Sequence, residues 1–100
     1  MAEIKLELNT QKQGGFNLYD ESGKAGEMVV TISGDKLTVY HTEVAKEASG
    51  KGYAKQLLDA MVAYVRGNKL SVIVLCPYVH AQFKKHPELY SDIWSEQINS

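Results

Sequence analysis

Ile4, Leu6 and Leu8 alternate with Glu3, Lys5 and Glu7 at the start of the chain, the period-two mark of a strand with one buried face. Gln11 to Gly15 is polar and ends in Gly-Gly, which predicts a turn, and Phe16 to Tyr19 reads as a short second strand. Asp20 to Gly26 predicts another turn. Met28 to Ile32 is a third strand, and Gly34-Asp35-Lys36 is a tight connection to a fourth, running from about Leu37 to Val44. Four strands joined by such short links form an antiparallel meander.

The period then changes. Ala54, Leu57, Leu58, Met61, Val62 and Val65 recur at helical spacing and make one apolar stripe, with Lys55, Gln56, Asp59 and Arg66 on the other side. This predicts a long helix that begins near Lys51 and stops at Gly67-Asn68. The following run, Leu70 to Leu75, is apolar on both faces, as a covered central strand would be. A strand–helix–strand crossover places it parallel to the fourth strand, with a right-handed connection. Val79 to His86 reads as a short helix broken by Pro87, and Leu89 to Trp94 as another. The expected fold class is α/β with a mixed sheet (α+β): an antiparallel four-strand meander, a crossover helix, a parallel fifth strand and short C-terminal helices.

Composition narrows the picture. One hundred residues have room for a single core, so residues 1–100 are expected to form one domain. A net charge of −1 argues against a general nucleic-acid binder, which needs a strongly basic face. The charge is uneven, however: residues 46–86 hold seven Lys/Arg against two Asp/Glu, a local positive field suited to a small polyanion, or chance clustering on a solvated face. One cysteine cannot make an internal disulfide, the N-terminus lacks the apolar core of a signal peptide, and no window nears the roughly 20 apolar residues of a membrane span. A cytoplasmic protein without a membrane partner is the expectation.

The glycine-rich turn Ser49-Gly50-Lys51-Gly52-Tyr53-Ala54 opens the long helix, where unpaired backbone N–H groups converge at the positive end of the helix dipole. Such a start seats phosphate, although glycine turns before helices are also common as turns and nothing more. It is neither a P-loop nor a dinucleotide fingerprint, because the lysine and glycine spacings differ. Cys76, Pro77 and Tyr78 close the fifth strand at the carboxyl edge of the parallel pair, where open sheets place ligands. Cys76 is a small core residue, or a nucleophile or proton donor; Tyr78 packs or donates a proton. His41, Thr42 and Glu43 end the fourth strand as surface residues, or as a base, His41 or Glu43, acting through water. His80 and His86 lack companions at metal-ligand spacing, so no metal site is expected, and Tyr40, Tyr53 and Tyr64 read as packing residues.

His41-Thr42-Glu43-Val44, Gly50-Lys51-Gly52-Tyr53-Ala54-Lys55 and Cys76-Pro77-Tyr78, in that order, resemble the GNAT-type N-acetyltransferase superfamily, and within it a small branch of single domains. The likeness covers residues 37–87 well. It implies acetyl-coenzyme A as cofactor, with its diphosphate on the amides of Gly50, Lys51, Gly52, Tyr53 and Ala54. Val44 would hydrogen-bond the pantetheine arm where the fourth and fifth strands splay, its N–H polarising the thioester carbonyl. Lys51, Lys55, Lys84 and Lys85 are candidate phosphate partners. Ser49 departs from the Gln or Arg usual in the family, and the tyrosine acid of larger members falls on Phe83. Leaving-group protonation is then expected from Cys76, Tyr78 or solvent. The resemblance implies transfer of acetyl to a small-molecule or peptide amine. Direct transfer is expected over a covalent route through Cys76, because holding both reactants in line supplies much of the barrier reduction. A monomer or weak dimer is expected; the alternative is a non-catalytic coenzyme A-binding module.

Overall fold

The computed structural model describes residues 2–95. Its sheet has the strand order β1-β2-β3-β4-β5, with β1 (Glu3–Leu8), β2 (Gln13–Asp20), β3 (Gly23–Ser33) and β4 (Lys36–Val44) antiparallel in turn. Helix α1 (Tyr53–Gly67) crosses over to β5 (Ser71–Val74), which pairs parallel with β4. Helices α2 (Pro77–Lys85) and α3 (Pro87–Tyr90) follow. The fold class and topology read from the sequence are therefore those of the molecule.

One face of the sheet is covered and the other is open. Phe16, Leu18, Met28, Val30, Leu37, Val39, Val72 and Val74 are buried, and their cross-strand partners share their face. Helix α1 lays Leu57, Leu58, Met61, Val62 and Val65 onto that face, and α2 adds Val79 and Phe83 to the same core. Burying each such side chain contributes about 1.5–3 kcal/mol, which is why the periodic stripe fixes the helix where local propensity alone would not. On the open face, Asn17 and Tyr19 both donate to the Glu7 carboxylate, at 2.7 and 2.6 Å. No helix among the described residues is long and apolar enough to cross a membrane.

Several local expectations are corrected. Gly14 and Gly15 lie inside β2, not in a turn: a Cβ on Gly14 would sit 2.0 Å from the Glu7 carbonyl oxygen, and one on Gly15 2.5 Å from that of Met28. The glycines are there because neighbouring backbones pass close. The turn falls earlier, at Asn9 to Lys12, with the Asn9 carboxamide oxygen accepting from the amides of Gln11 and Gln13 and Lys12 at φ 61°. Similarly, β3 absorbs Ala25 and Gly26, which the polar turn signal had claimed; Gly26 lies beneath Leu57. Helix α1 begins at Tyr53 because Gly50 and Gly52 are left-handed, at φ 85° and 76°, and a helical turn at Lys46–Ala48 precedes them. Helix α2 starts earlier than expected, with Pro77 in its first turn. The second C-terminal helix ends at Tyr90, and Trp94 instead bridges Val72. That bridge covers part of the outer edge of β5, which is the last strand of the sheet and not a central one.

Candidate functional site

Strand β4 carries an irregularity that shapes the site. Its pairing with β3 steps from Val30–Val39 to Val29–His41, leaving Tyr40 as an extra residue, a β-bulge. Bulges bend the strand that contains them. On the other side, β5 stays with β4 only from Lys36–Ser71 to Val39–Val74; the amides of Leu75 and Cys76 both turn onto the Val39 carbonyl, and pairing ends there. Residues 40–44 of β4 thus have no β5 partner.

The backbone direction along this stretch follows from one hydrogen bond. Ala45 donates to the Ala25 carbonyl at 2.8 Å, so the alternation of an antiparallel ladder makes Glu43–Glu27 the next hydrogen-bonded pair. The N–H and C=O of Thr42 and Val44 then point away from β3, into the gap that β5 has left. This is an extended, unpaired edge inside the domain, able to accept a ligand arm in place of a strand.

Beside it lies the start of α1. The amide of Lys51 is taken by the Ala48 carbonyl at 3.3 Å, and that of Ser49 by Lys46 at 3.2 Å. Those of Gly50, Gly52, Tyr53, Ala54 and Lys55 have no acceptor among the described residues, and no side chain caps the helix. Helices usually satisfy these donors with a Ser, Thr, Asp or Asn cap. Here they border a cleft of about 350 Å³ lined by Val44, Ala48, Ser49, Gly50, Gly52, Tyr53, Ala54, Lys55 and Tyr78. A Cβ on Gly50 or Gly52 would meet nothing within 4 Å, so the space before these amides is open.

The sequence-derived site residues divide among several places. Val44, Gly50, Gly52, Tyr53, Ala54, Lys55 and Tyr78 line the cleft, with Lys51 in the turn between them. Lys55 is held by Asp59 at 2.9 Å, whereas Lys51 has no carboxylate partner in ion-pair range among the described residues. Lys84 and Lys85 lie in the last turn of α2, roughly 10 Å along the helix from Tyr78 at 1.5 Å per residue, and do not line the cleft. Cys76 is buried at the root of the gap, its Sγ 3.3 Å from Thr42 Oγ1. Thr42 pairs with Met28 and so faces the covered side; His41 and Glu43 pair with Val29 and Glu27 and face the open side. There His41 Nε2 is 3.3 Å from Glu43 Oε1. Cys76 and the His41–Glu43 pair are therefore on opposite faces of the sheet.

Burial raises the Tyr78 phenol above its ordinary 10.0, against the pull of Lys55, so it holds its proton at neutral pH. Phe83 is fully buried and stacked on Tyr90, with ring centroids 4.6 Å apart, away from the cleft lining. His80 lies edge-on to Trp94, and His86 stands beside Glu88. Tyr64 packs on Phe16, as expected of a packing residue, but Tyr40 is 43% exposed and is not one.

Two contributions escaped the sequence reading. Thr42 offers its backbone to the gap and its hydroxyl to Cys76. Asp20 secures the glycine turn: Tyr53 donates to its carboxylate at 2.9 Å, tying the first residue of α1 to the β2–β3 turn. The Ser22 hydroxyl and amide, then Tyr53, with Lys51 adding attraction, hold the Asp20 carboxyl at about 2, below its ordinary 3.8. A depressed carboxylate stabilises the fold fully above its unfolded value and loses that contribution as pH falls through the folded value. Denaturant titrations of Asp20→Asn should show lower stability than the parent near neutrality and a smaller loss of stability between about pH 4 and about pH 2. Parallel pH profiles for the two proteins would contradict this role.

Comparison with known proteins agrees with the geometry. The chain superposes on the solution structure of a GCN5-like protein from Staphylococcus aureus with a TM-score of 0.66, at 28% identity over 92% of this chain and 86% of that one. It matches the ribosomal-protein-alanine N-acetyltransferase of Brucella melitensis at a TM-score of 0.62, with 17% identity over 80% of this chain and 62% of that one. N-acetylglutamate synthase from Neisseria gonorrhoeae, solved with coenzyme A and N-acetyl-glutamate, matches at 0.59, with 17% identity over 83% of this chain and 22% of the synthase. The chain thus spans less than two thirds of these two enzymes, and the likeness to them is one of fold. No curated protein sequence matches it. A model of the GCN5-related N-acetyl-transferase family matches residues 15–93. With most of the sheet, the crossover helix and the cleft inside that match, the chain belongs to the GCN5-related N-acetyltransferase family.

Proposed function

We propose that this protein transfers an acetyl group from acetyl-coenzyme A directly to a primary amine. The observation that carries the reading is the meeting of two sets of unsatisfied backbone groups: the amides opening α1 and the free edge of β4 at Thr42 and Val44. The first set suits a diphosphate and the second suits a pantetheine amide arm. Lys51 at the turn adds positive charge, with Lys55 beside it. When bound, the donor supplies an acyl group activated as a thioester. Its carbonyl would lie where the Val44 N–H can stabilise negative charge developing on oxygen.

His41 and Glu43 stand on the other side of the same strand, so the acceptor approaches from the open face and meets the donor through the gap. In the transfer, the amine lone pair forms the new N–C bond and the C–S bond breaks with its electron pair leaving on sulfur. The nitrogen's proton passes through water to the His41–Glu43 pair, and the departing sulfur takes a proton from Tyr78. Holding both reactants in line supplies much of the rate. A covalent route through Cys76 is disfavoured by its burial at 1% exposure, packed against Thr42.

Two assays test this. Calorimetry should show coenzyme A binding, and thiol release from acetyl-coenzyme A should depend on added amine. Binding without amine-dependent release would favour the non-catalytic module instead. Cys76→Ala should retain turnover within about threefold, whereas Tyr78→Phe should lose about a hundredfold, the lower end of the range for a positioned proton donor. The reverse order would establish the covalent route.

A further inference from the structure

The open face beside the gap has a composition of its own. Three large apolar side chains are exposed among the described residues: Tyr40 at 43%, Leu75 at 56% and Leu89 at 48%. A single exposed leucine means little. Two of these, however, flank one point. Val39 and Val74 are the last partners of the parallel pair, so Tyr40 and Leu75 are the next residue on each strand, at the root of the gap. Val74 and Cys76 are buried, so alternation turns Leu75 to the open side. The bulge places Tyr40 there as well, and its hydroxyl lies 3.2 Å from Thr31 Oγ1, which fixes the ring over the sheet.

The carboxylates of this face nearest to Tyr40 are Glu27 and Glu43; Glu7 lies on β1, where Asn17 and Tyr19 donate to it. Glu27 is neutralised by Lys24 at 2.6 Å. Glu43 stands opposite it, with only the His41 ring beside it, at 3.3 Å, among the described residues. Glu43 is therefore the carboxylate of this cross-strand pair that lacks a Lys or Arg partner among the described residues, and a cation beside it gains that attraction. One ammonium satisfies this site. A second cationic group would find no unpaired carboxylate beside Glu43 on β3 or β4, since Glu7 lies on β1, three strands and roughly 14 Å away at about 4.8 Å per strand. From Tyr40 to Glu43 is roughly 10 Å along β4 at about 3.3 Å per residue, so an apolar group on Tyr40 and Leu75 reaches an ammonium near Glu43 through a short linker.

We infer that the acyl acceptor is a monocationic primary amine bearing an aromatic or branched apolar group, which Tyr40 and Leu75 select. This rests on the acyl-transfer reading above. Both residues are exposed, so replacing them leaves the core intact. The test uses 2-phenylethylamine, ethylamine and spermidine at saturating acetyl-coenzyme A, with calorimetry of 2-phenylethylamine onto the protein already holding coenzyme A. The expected result is a kcat/KM for 2-phenylethylamine at least about tenfold above both others. Leu75→Ser and Tyr40→Ala should each raise its KM about tenfold with kcat nearly constant, weaken its calorimetric affinity in parallel, and leave coenzyme A affinity unaltered. A preference for spermidine, or no change in KM in either variant, overturns the inference while leaving acyl transfer standing. Failure of coenzyme A to bind at all overturns both.

Discussion

Gly52→Asp should weaken coenzyme A binding about a hundredfold while costing the fold no more than Gly52→Asn does. Gly52 is the residue before α1, at φ 76°, and no side chain caps that helix. Aspartate and asparagine enter the left-handed region at lower cost than most residues but are still strained there, so both variants should lose a similar, small amount of stability. The aspartate carboxylate, however, would project into the open space before the free amides. A unit charge about 5 Å from a phosphate charge, at an effective dielectric of about 20, opposes binding by about 3 kcal/mol, and solvent screening reduces this toward a hundredfold in affinity. Gly52→Asn presents the same shape without the charge and should lose less than about tenfold. Calorimetry of coenzyme A with thermal melts of the free proteins reads both quantities. Equal losses in the two variants would assign the effect to shape, and a melting temperature lowered further in Gly52→Asp than in Gly52→Asn would assign it to the fold.

Glu43→Gln and His41→Ala should each reduce kcat by about a hundredfold or more, the range in which a positioned base contributes. Coenzyme A affinity should not change, because both side chains face the open side of the sheet while the cleft lies on the other. The side chains are 3.3 Å apart and are assigned to one proton path, so the double variant should be little worse than either single one. Additive losses would mean two separate roles. Single-turnover rates at saturating amine distinguish these outcomes, since they exclude product release.

The large elements were legible because their periodicity is long and unambiguous. The stripe from Ala54 to Val65 allowed one helix, and the apolar run after it allowed one kind of crossover. Glycines were where the sequence misled. Gly14-Gly15 and Gly50–Gly52 look alike as text, yet the first pair sits in a strand because adjacent carbonyls leave no room for a Cβ, and the second is left-handed in a turn. Distinguishing them requires knowing which backbone passes nearby. The run of free amides at the start of α1 was legible because helix-end amides are a local property, whereas the proposed catalytic assignment depends on the bulge at Tyr40. One extra residue turns His41 and Glu43 to the face opposite Cys76, and period-two counting cannot see it. Lys84 and Lys85 were chosen by charge alone, and the direction of α2 carries them away from the cleft lining.

The most direct measurement is the change in each backbone amide resonance as coenzyme A is added to isotope-labelled protein. Large shifts at Gly50, Gly52, Tyr53, Ala54 and Lys55, together with Thr42 and Val44, are expected, with little change at Lys84, Lys85 or along β1. Shifts centred elsewhere, or none at millimolar coenzyme A, would contradict the account.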